Sequence, residues 1–428
     1  MESKLFILIV LVLGTVAVAQ LARLYNMSAK LRKKGEEEIS DRDNMFNARM
    51  MLGFMMALYI FFIYLMLEYG WTGRGDAAST IGVETDWLLN INFVIIIMVF
   101  FLTNTLLFFF TFRYVRKKGV KAYYFPHNNK LEMIWTIVPA CVLAFIIVLG
   151  LKKWNEATSE SSTDAIRVEL YSKQFDWTAR YGGRDNQLGK FDYKLTTDKN
   201  ELGLVTAEAI DSAIVQMQSG PTGIDSLAAK LNDRNQIFGE VDQKKMEKDL
   251  SAKTRLIRLL YQMKQHHNKG QDKQAWDDII QKDTLYLCED TPYEFTFRAK
   301  DVIHSAYFPH FRAQMNTVPG YTTRFKFTPI YTTEEMRAKM NNPKFSYILM
   351  CNKICGGAHY KMKMAVVVLS KSEYKAWMAS KAKSTFKDTF LAKTEAPAAP
   401  SSPDGMAKDS VSDVAIKPDS VVVQAKPM

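Results

Sequence analysis

The chain has 428 residues, 48% of them hydrophobic and 24% charged, with a formal net charge of +11. That hydrophobic fraction is ordinary, but the apolar residues gather in nearly charge-free runs, which excludes a wholly water-soluble chain. No C-x-x-C-H sequence occurs, so a covalently fused c-type haem is excluded, and no nucleic-acid partner is expected.

Four runs, Leu5 to Ala19, Met50 to Leu67, Trp87 to Phe112 and Ile134 to Leu151, approach the length a helix needs to cross a hydrocarbon core of about 30 Å. The first is the shortest, and Ala17-Val18-Ala19 within it has the small residues of a signal-peptide cleavage site. Charge favours retention. Arg23, Lys30, Arg32, Lys33 and Lys34 follow the first run, and Arg113, Arg116, Lys117, Lys118 and Lys121 lie between the third and fourth, whereas the linker Glu68 to Asp86 has only Arg74. By the positive-inside rule the two basic stretches are cytoplasmic and the linker is outside. Four retained spans place both termini outside, and cleavage at Ala19 would put the basic stretch on the wrong face.

Everything after Leu151 is then extracytoplasmic. Ile166, Val168 and Leu170, Phe295 and Phe297, Phe325 and Phe327, and the run Ala365 to Leu369 read as half-buried strands of a small β-sandwich or barrel. Between them, residues 200–283 read as a helical insertion, with Leu256, Leu259, Leu260 and Met263 at helical spacing among many charges. Ser372 to Lys393 suits one amphipathic helix, and the stretch from Glu395 to Met428, rich in Pro, Ala, Ser and Lys, has little to bury and reads as disordered. The expected fold class is membrane-anchored α+β: four transmembrane helices, then an extracytoplasmic β-sandwich with a helical insertion and a disordered tail. The expected divisions are an amino-terminal helix pair over 1–68, a membrane hairpin over 87–151, a β-domain over 160–199 and 284–370, the insertion, a helix over 371–394 and the tail over 395–428.

The segment Cys351 to Met362, CNKICGGAHYKM, concentrates two of only four cysteines beside a histidine and a methionine. Thiolate, imidazole and thioether form a soft ligand set suited to copper and only partly to zinc, because Met is a poor zinc ligand. Tyr347 to Met350 reads as a strand leading in, Gly356-Gly357 permits a tight turn, and the strand from Ala365 leads out. A disulfide between Cys351 and Cys355 is the plainer reading in an oxidising compartment, but it leaves the His and Met offsets unexplained. Two cysteines are one too many for a mononuclear blue-copper site.

The pattern C-x3-C-x3-H-x2-M resembles the binuclear CuA loop of cytochrome c oxidase subunit II. Asp301-Val302-Ile303-His304-Ser305, with Val318-Pro319-Gly320 downstream, is similar to the family segment that supplies the first histidine. Asn129 to Pro139, NKLEMIWTIVP, is similar to the start of the family's second transmembrane helix, and Gln174-Phe175-Asp176-Trp177 to its aromatic strand near the copper. The likeness runs over Trp87 to Arg180 and Leu285 to Lys381. It implies a cupredoxin-like domain with two copper ions: Cys351 and Cys355 bridge, His304 and Met362 complete one copper, and His359 with the backbone carbonyl of Lys353 completes the other. It also implies an electron-intake region at Trp177 and Phe175, and a role for Glu132 at the mouth of a proton pathway, where the plainer reading is favourable charge at a helix start.

The likeness is incomplete. Phe175 stands where the family has the tryptophan that receives electrons. Lys353 replaces the glutamate that helps hold magnesium against subunit I, and Asn316 replaces an aspartate, so magnesium is not carried over. The extra amino-terminal helices and the insertion have no counterpart in the minimal two-helix subunit.

Among the remaining candidates, His310 falls outside an already complete ligand set. His266 and His267 are adjacent, point apart on a helix and read as solvated. Cys141 and Cys288 read as small buried hydrophobes.

The resemblance implies the electron-intake subunit of a haem-copper terminal oxidase. It would take electrons from a cytochrome c, or from a cytochrome-bearing membrane complex, and pass them to haem in subunit I. Oxygen reduction and proton pumping belong to the assembly. A multi-pass protein of a bacterial inner membrane, with the copper domain on the periplasmic side and bound to subunit I and other oxidase subunits, is expected. Two alternatives are a copper-free structural subunit of a quinol oxidase and the CuA domain of a nitrous oxide reductase. Thr178 to Lys190, taken to border the intake face, carries Arg180, Arg184 and Lys190 against Asp185, a charge unsuited to steering a basic donor.

Overall fold

The computed structural model describes residues 2–31, 40–70, 74–161, 164–233, 238–381 and 384–395; side chains are described for 12–28 in the first segment and up to 393 in the last. The expected disordered tail beyond residue 395 and the basic residues Arg32 to Lys34 lie outside the described residues.

Four long helices open the chain: α1 (Glu2–Leu31), α2 (Asp41–Tyr69), α3 (Thr80–Arg113) and α4 (Asn129–Thr158). Four spans were expected, but among the described residues three helices, α2 to α4, are long and apolar enough to cross a membrane. The first expected span falls in α1, where much of the apolar run lies outside the residues whose side chains are described. The helices start where side chains can take up free backbone N–H groups: Ser40, Ser79 and Asn128 accept from the backbones of Asp43, Gly82 and Leu131. Helices α2 and α3 run antiparallel, with Phe54 against Phe108, Tyr59 Oη donating to Phe101 O at 3.0 Å, and Phe62 stacked on Phe100. Their other faces are apolar and exposed, which suits a lipid surround.

Beyond α4 the chain forms β1 (Ile166–Lys173) and β2 (Asp176–Tyr181), then the helices α5 (Ala207–Ser219), α6 (Ile224–Asn232), α7 (Glu240–His266) and α8 (Asp272–Trp276). It continues through β3 (Ile279–Lys282), β4 (Thr284–Cys288), β5 (Tyr293–Ala299), β6 (His304–Phe308), β7 (Ala313–Thr317) and β8 (Thr323–Phe327). The last elements are α9 (Thr333–Lys339), β9 (Tyr347–Cys351), β10 (Lys363–Leu369), α10 (Lys371–Lys381) and α11 (Phe386–Glu395). The strands make two five-stranded sheets, in the orders β3-β2-β1-β5-β8 and β4-β10-β9-β6-β7. Alternation decides which side chains meet between them. Val168, Leu170, Phe295 and Phe297 from the first sheet, and Leu287, Ala306, Phe308, Leu349 and Val366 from the second, form one buried cluster.

The insertion is helical as expected, but its boundary moves. Ile279–Lys282 is a strand pairing with β2, Thr178 opposite Lys282, so it belongs to the sheet. The buried stripe of α7 is also shifted. Ile257 and Leu260 pack with Ile210 and Ile214 and with the partly buried Met263, while Leu259 faces outward. The single helix expected over 371–394 is two, because Thr385 pairs with Ile279 and then caps a new helix through Asp388 N. Trp377 of α10 stacks on Tyr286, and Phe386 of α11 stacks on Trp276.

A buried charge cluster joins insertion and sheet. Arg180 Nε donates to Glu169 Oε2 and its Nη1 to Asp278 Oδ2, both at 2.6 Å, while Arg298 donates to Glu169 and to Leu202 O. Burial works against ionised Glu169, but Arg180 and then Arg298 outweigh it and hold the carboxyl at about 2. Arg180 is therefore a neutralised core residue, and it contributes no surface charge.

The sandwich is locked onto the membrane hairpin. Ala78 N donates to His310 O at 2.7 Å, Ile330 N donates to Ala78 O at 3.0 Å, and Ser79 Oγ donates to Phe311 O at 2.7 Å. Arg312 donates to Asp86 and to the carbonyls of Arg74 and Gly75. Lys153 of α4 pairs with Glu84 of α3 at 2.9 Å, so the start of one helix and the end of the other share the end that carries the sandwich.

Candidate metal centre

Strand β6 begins at His304 and β9 ends at Cys351, and the register Ala306 opposite Cys351 brings these two ends together. Cys355, His359 and Met362 follow on the loop, which returns through β10, where Lys363 pairs with Met350. A closing backbone bond, Cys351 N donating to Met362 O at 3.0 Å, holds the loop's two ends side by side. Two strands of one sheet thus carry a twelve-residue loop on a rigid mount, and β6 supplies the histidine that no local pattern around the cysteines contains.

The donor atoms converge. Cys351 Sγ lies 3.9 Å from Cys355 Sγ and 3.9 Å from His304 Nδ1; Cys355 Sγ lies 3.5 Å from His359 Nδ1 and 3.8 Å from Met362 Sδ. The Cys351 thiol reaches Lys353 O at 3.2 Å. Among the described residues His304, Cys351 and Cys355 form a buried group able to hold a metal ion. The two sulfurs are not bonded, because a disulfide holds them about 2.05 Å apart. The spacing instead suits a shared ion: two thiolates at about 2.3 Å from a tetrahedral metal are about 3.8 Å apart, and a thiolate and an imidazole about 3.6 Å. Burial, then the neighbouring Cys351 sulfur, pushes the Cys355 thiol up to about 11, so a bound metal has to displace that proton. The donor set fits a soft metal ion.

Further residues hold the ligands in place. Asp301 Oδ1 accepts from His304 Nε2 at 2.9 Å, which leaves Nδ1 facing the sulfur. Asp301 also accepts from Gln174 N and Val302 N, both at 2.7 Å, and Gln174 Nε2 donates to Cys355 O. Burial opposes ionised Asp301, but the Gln174 amide and His304 prevail and lower its pKa. The sequence pattern assigns no role to Asp301 or Gln174 beyond their place in the quoted segments. The one available signal was a carboxylate three residues before a candidate ligand. Gly356 adopts φ 142°, and a Cβ there would come within 2.9 Å of Gln174 Nε2 and Phe175 Cζ, so the close approach requires glycine.

Other candidates fall elsewhere. Trp177 is fully buried with its ring 6.3 Å from that of His304, so it offers no surface to an electron donor; β2 alternation turns Trp177, Ala179 and Tyr181 into the core. Phe175 is half-buried against Gly356. Glu132 lies in the first turn of α4, exposed and far along the chain's membrane portion from the sulfur ligands. His310 packs against Phe345 and Tyr347, away from the metal group, and burial lowers its pKa. His266 is exposed, but His267 is not solvated as expected: it meets Asp272 at 2.6 Å. Cys288 is buried, whereas Cys141 is exposed on α4. Arg184 and Lys190 follow the Tyr181 end of β2, opposite the Gln174–Phe175 turn, so with Arg180 buried the segment 178–190 does not border the metal loop.

Comparison with known proteins follows this geometry. Residues 69–152 match the family model described as the cytochrome c oxidase subunit II transmembrane domain. The chain is 26% identical over 301 residues to the alternative cytochrome c oxidase subunit 2 of Bradyrhizobium diazoefficiens, covering 69% of this chain and 81% of that protein. It is 23% identical over 310 residues to cytochrome c oxidase subunit 2 of Cereibacter sphaeroides, covering 72% and 80%. Among solved structures, the periplasmic domain of subunit II of cytochrome oxidase of Bradyrhizobium japonicum aligns with 52% of this chain and 98% of that one, at 13% identity and a TM-score of 0.25.

Proposed function

The chain is homologous to subunit II of cytochrome c oxidase, a subunit of the haem-copper oxidoreductases, and we propose that it is the electron-intake subunit of such an oxidase, carrying a binuclear CuA centre in a cupredoxin-like domain. The observation that carries this reading is the convergence of two thiolates 3.9 Å apart with two imidazoles, a thioether and a backbone carbonyl in one largely buried site. When bound, a copper pair supplies a one-electron carrier that needs little rearrangement on changing redox state. The protein does the rest. Cys351 and Cys355 would both hold the pair, and His304, Met362, His359 and Lys353 O would supply the remaining donors. Asp301 fixes the tautomer of His304, and burial of Cys351, Cys355 and Met362 keeps water from the sulfurs.

The intact ligand set speaks against a copper-free quinol oxidase subunit, and the membrane hairpin distinguishes the chain from a nitrous oxide reductase. In this reading α1 is a fourth span, the basic loops are cytoplasmic, and the sandwich lies on the periplasmic face of a bacterial inner membrane against subunit I. Electrons come from a cytochrome c or a cytochrome-bearing membrane complex, and Glu132 sits at the mouth of a proton pathway. Lys353 is exposed and, among the described residues, has no carboxylate partner; it takes the place of magnesium by pairing with carboxylates of subunit I. Copper analysis of the purified full chain, with near-infrared and electron paramagnetic resonance spectra, tests the reading. Two coppers per chain sharing one unpaired electron are expected. A single isolated copper, or none after reconstitution, would refute it.

A further inference from the structure

Helix α3 ends at Arg113 and α4 begins at Asn129, and residues 114–128 join them at the end of the hairpin opposite the sandwich. The apolar run of α3 stops at Phe112 and that of α4 resumes at Met133, so this loop starts and ends in the headgroup layer of the membrane. Its residues exceed what a plain connection needs. Tyr123 and Tyr124 are 86% and 85% exposed, Phe125 is 57% exposed, and Tyr114 and Val120 are exposed with them. The Tyr123 and Phe125 rings stack with their centroids 5.8 Å apart and present a joined surface.

The same loop is strongly cationic. Arg113, Arg116, Lys117, Lys118 and Lys121 are all exposed, and no Asp or Glu occurs from 113 to 131. A tight turn gathers these cations: Val120 N donates to Lys117 O at 3.2 Å, and Gly119 takes φ 80°, a conformation that favours glycine. Asp41 at the start of α2 accepts from the backbone N of Lys118 at 3.3 Å, and among the described residues none of the five side chains pairs with a carboxylate. In water this loop holds three aromatic rings in solvent beside five uncompensated charges. An anionic headgroup layer relieves both at once, because aromatic rings settle at the level of the headgroups and cations there meet lipid phosphates.

We propose that residues 113–125 are a docking surface for anionic phospholipid, with the five cations on headgroup phosphates and Tyr123, Tyr124 and Phe125 seated in the interface. The proposal rests on the membrane hairpin and not on the copper. The full chain, alone and within the assembled oxidase, is placed in phosphatidylcholine bilayers carrying a trace of spin-labelled lipid, and the motionally restricted fraction gives the relative association of each label. At about 20 mM salt, labelled phosphatidylglycerol should associate at least about twofold more strongly than labelled phosphatidylcholine, falling to parity near about 500 mM, where the screening length is about 4 Å. The combined variant Arg116→Gln, Lys117→Gln, Lys118→Gln, Lys121→Gln should remove the preference, while Lys245→Gln, Lys248→Gln on exposed α7 should keep it. The combined variant Tyr123→Ser, Tyr124→Ser, Phe125→Ser should keep the preference but lose the slowed hydrogen exchange over 114–125 that phosphatidylglycerol confers on the parent. All three variants alter exposed side chains and should match the parent in thermal unfolding. Equal association of the two labels with the parent, a preference that survives loss of the four cations, or unchanged exchange in the aromatic variant would overturn the proposal. So would loop amides in the assembled oxidase that are protected equally in both lipids, as a protein neighbour on the loop would make them. Loss of the copper spectrum with the lipid preference intact would count against the copper reading alone.

Discussion

Replacement of Asp301 should weaken the metal site without unfolding the domain. The carboxylate accepts three hydrogen bonds, from His304 Nε2 at 2.9 Å and from the amides of Gln174 and Val302 at 2.7 Å. It therefore orients the imidazole and ties the β1–β2 turn to the loop before β6. In Asp301→Asn one oxygen can still take Val302 N and His304, but the new amide nitrogen faces Gln174 N, donor against donor, and the charge is gone. In Asp301→Ala all three bonds are lost and His304 is free to rotate. Groups that support a ligating histidine are worth about 10- to 100-fold in metal affinity, or about 1.4 to 2.7 kcal/mol. The Asn variant should sit near the lower figure and the Ala variant near the upper. Titrating copper-loaded chain with a copper chelator, followed in the near infrared, measures this directly. Asp301 lies outside the sandwich core with its side chain 28% exposed, so the copper-free domain of both variants should still unfold cooperatively, at a somewhat lower midpoint. Unchanged copper retention in Asp301→Ala would show that packing alone orients His304, and the reasoning would fail.

Three other outcomes follow from the geometry. Cys351→Ser or Cys355→Ser should abolish the binuclear spectrum, while Cys288→Ser, on β4 and outside the donor group, should leave it intact; a normal spectrum in either loop variant refutes the ligand assignment. Glu169, held at about 2 against an ordinary 4.5, has a depressed folded-state value, so its stabilisation is full above pH 4.5 and is lost as pH falls from there toward 2. This is worth about 3 kcal/mol, and acid-unfolding curves of Glu169→Gln should lack that share of the pH dependence; parallel curves would argue against it. Lys353→Met should keep its copper, because only the backbone carbonyl of residue 353 faces the site, yet should bind subunit I more weakly; co-purification as strong as the parent's would place the lysine in water.

Much was legible in the chain because it depends on local chemistry. Apolar runs interrupted by basic loops disclose membrane helices, since an uncharged stretch of that length has few other uses. Period-two alternation from Ile166 to Leu170 and from Phe295 to Phe297 discloses strands that bury one face. The soft donors of CNKICGGAHYKM mark a candidate metal site by their types and offsets. Where burial depends on a partner far along the chain, the local signal failed. Arg180 and Trp177 read as surface groups of an intake face, but strand alternation turned Trp177 inward, and Glu169 and Asp278 drew Arg180 into the core. The break at Thr385 follows from its pairing with Ile279, more than one hundred residues earlier, and the strand at 279–282 exists because β2 offers it an edge. Asp301 and Gln174 gained their supporting roles only when the register of β6 with β9 brought His304 to Cys351. Ligand type is a property of side chains and is written residue by residue. Which groups stand behind the ligands, and which charges remain on the surface, are set by distances between segments that the sequence does not contain.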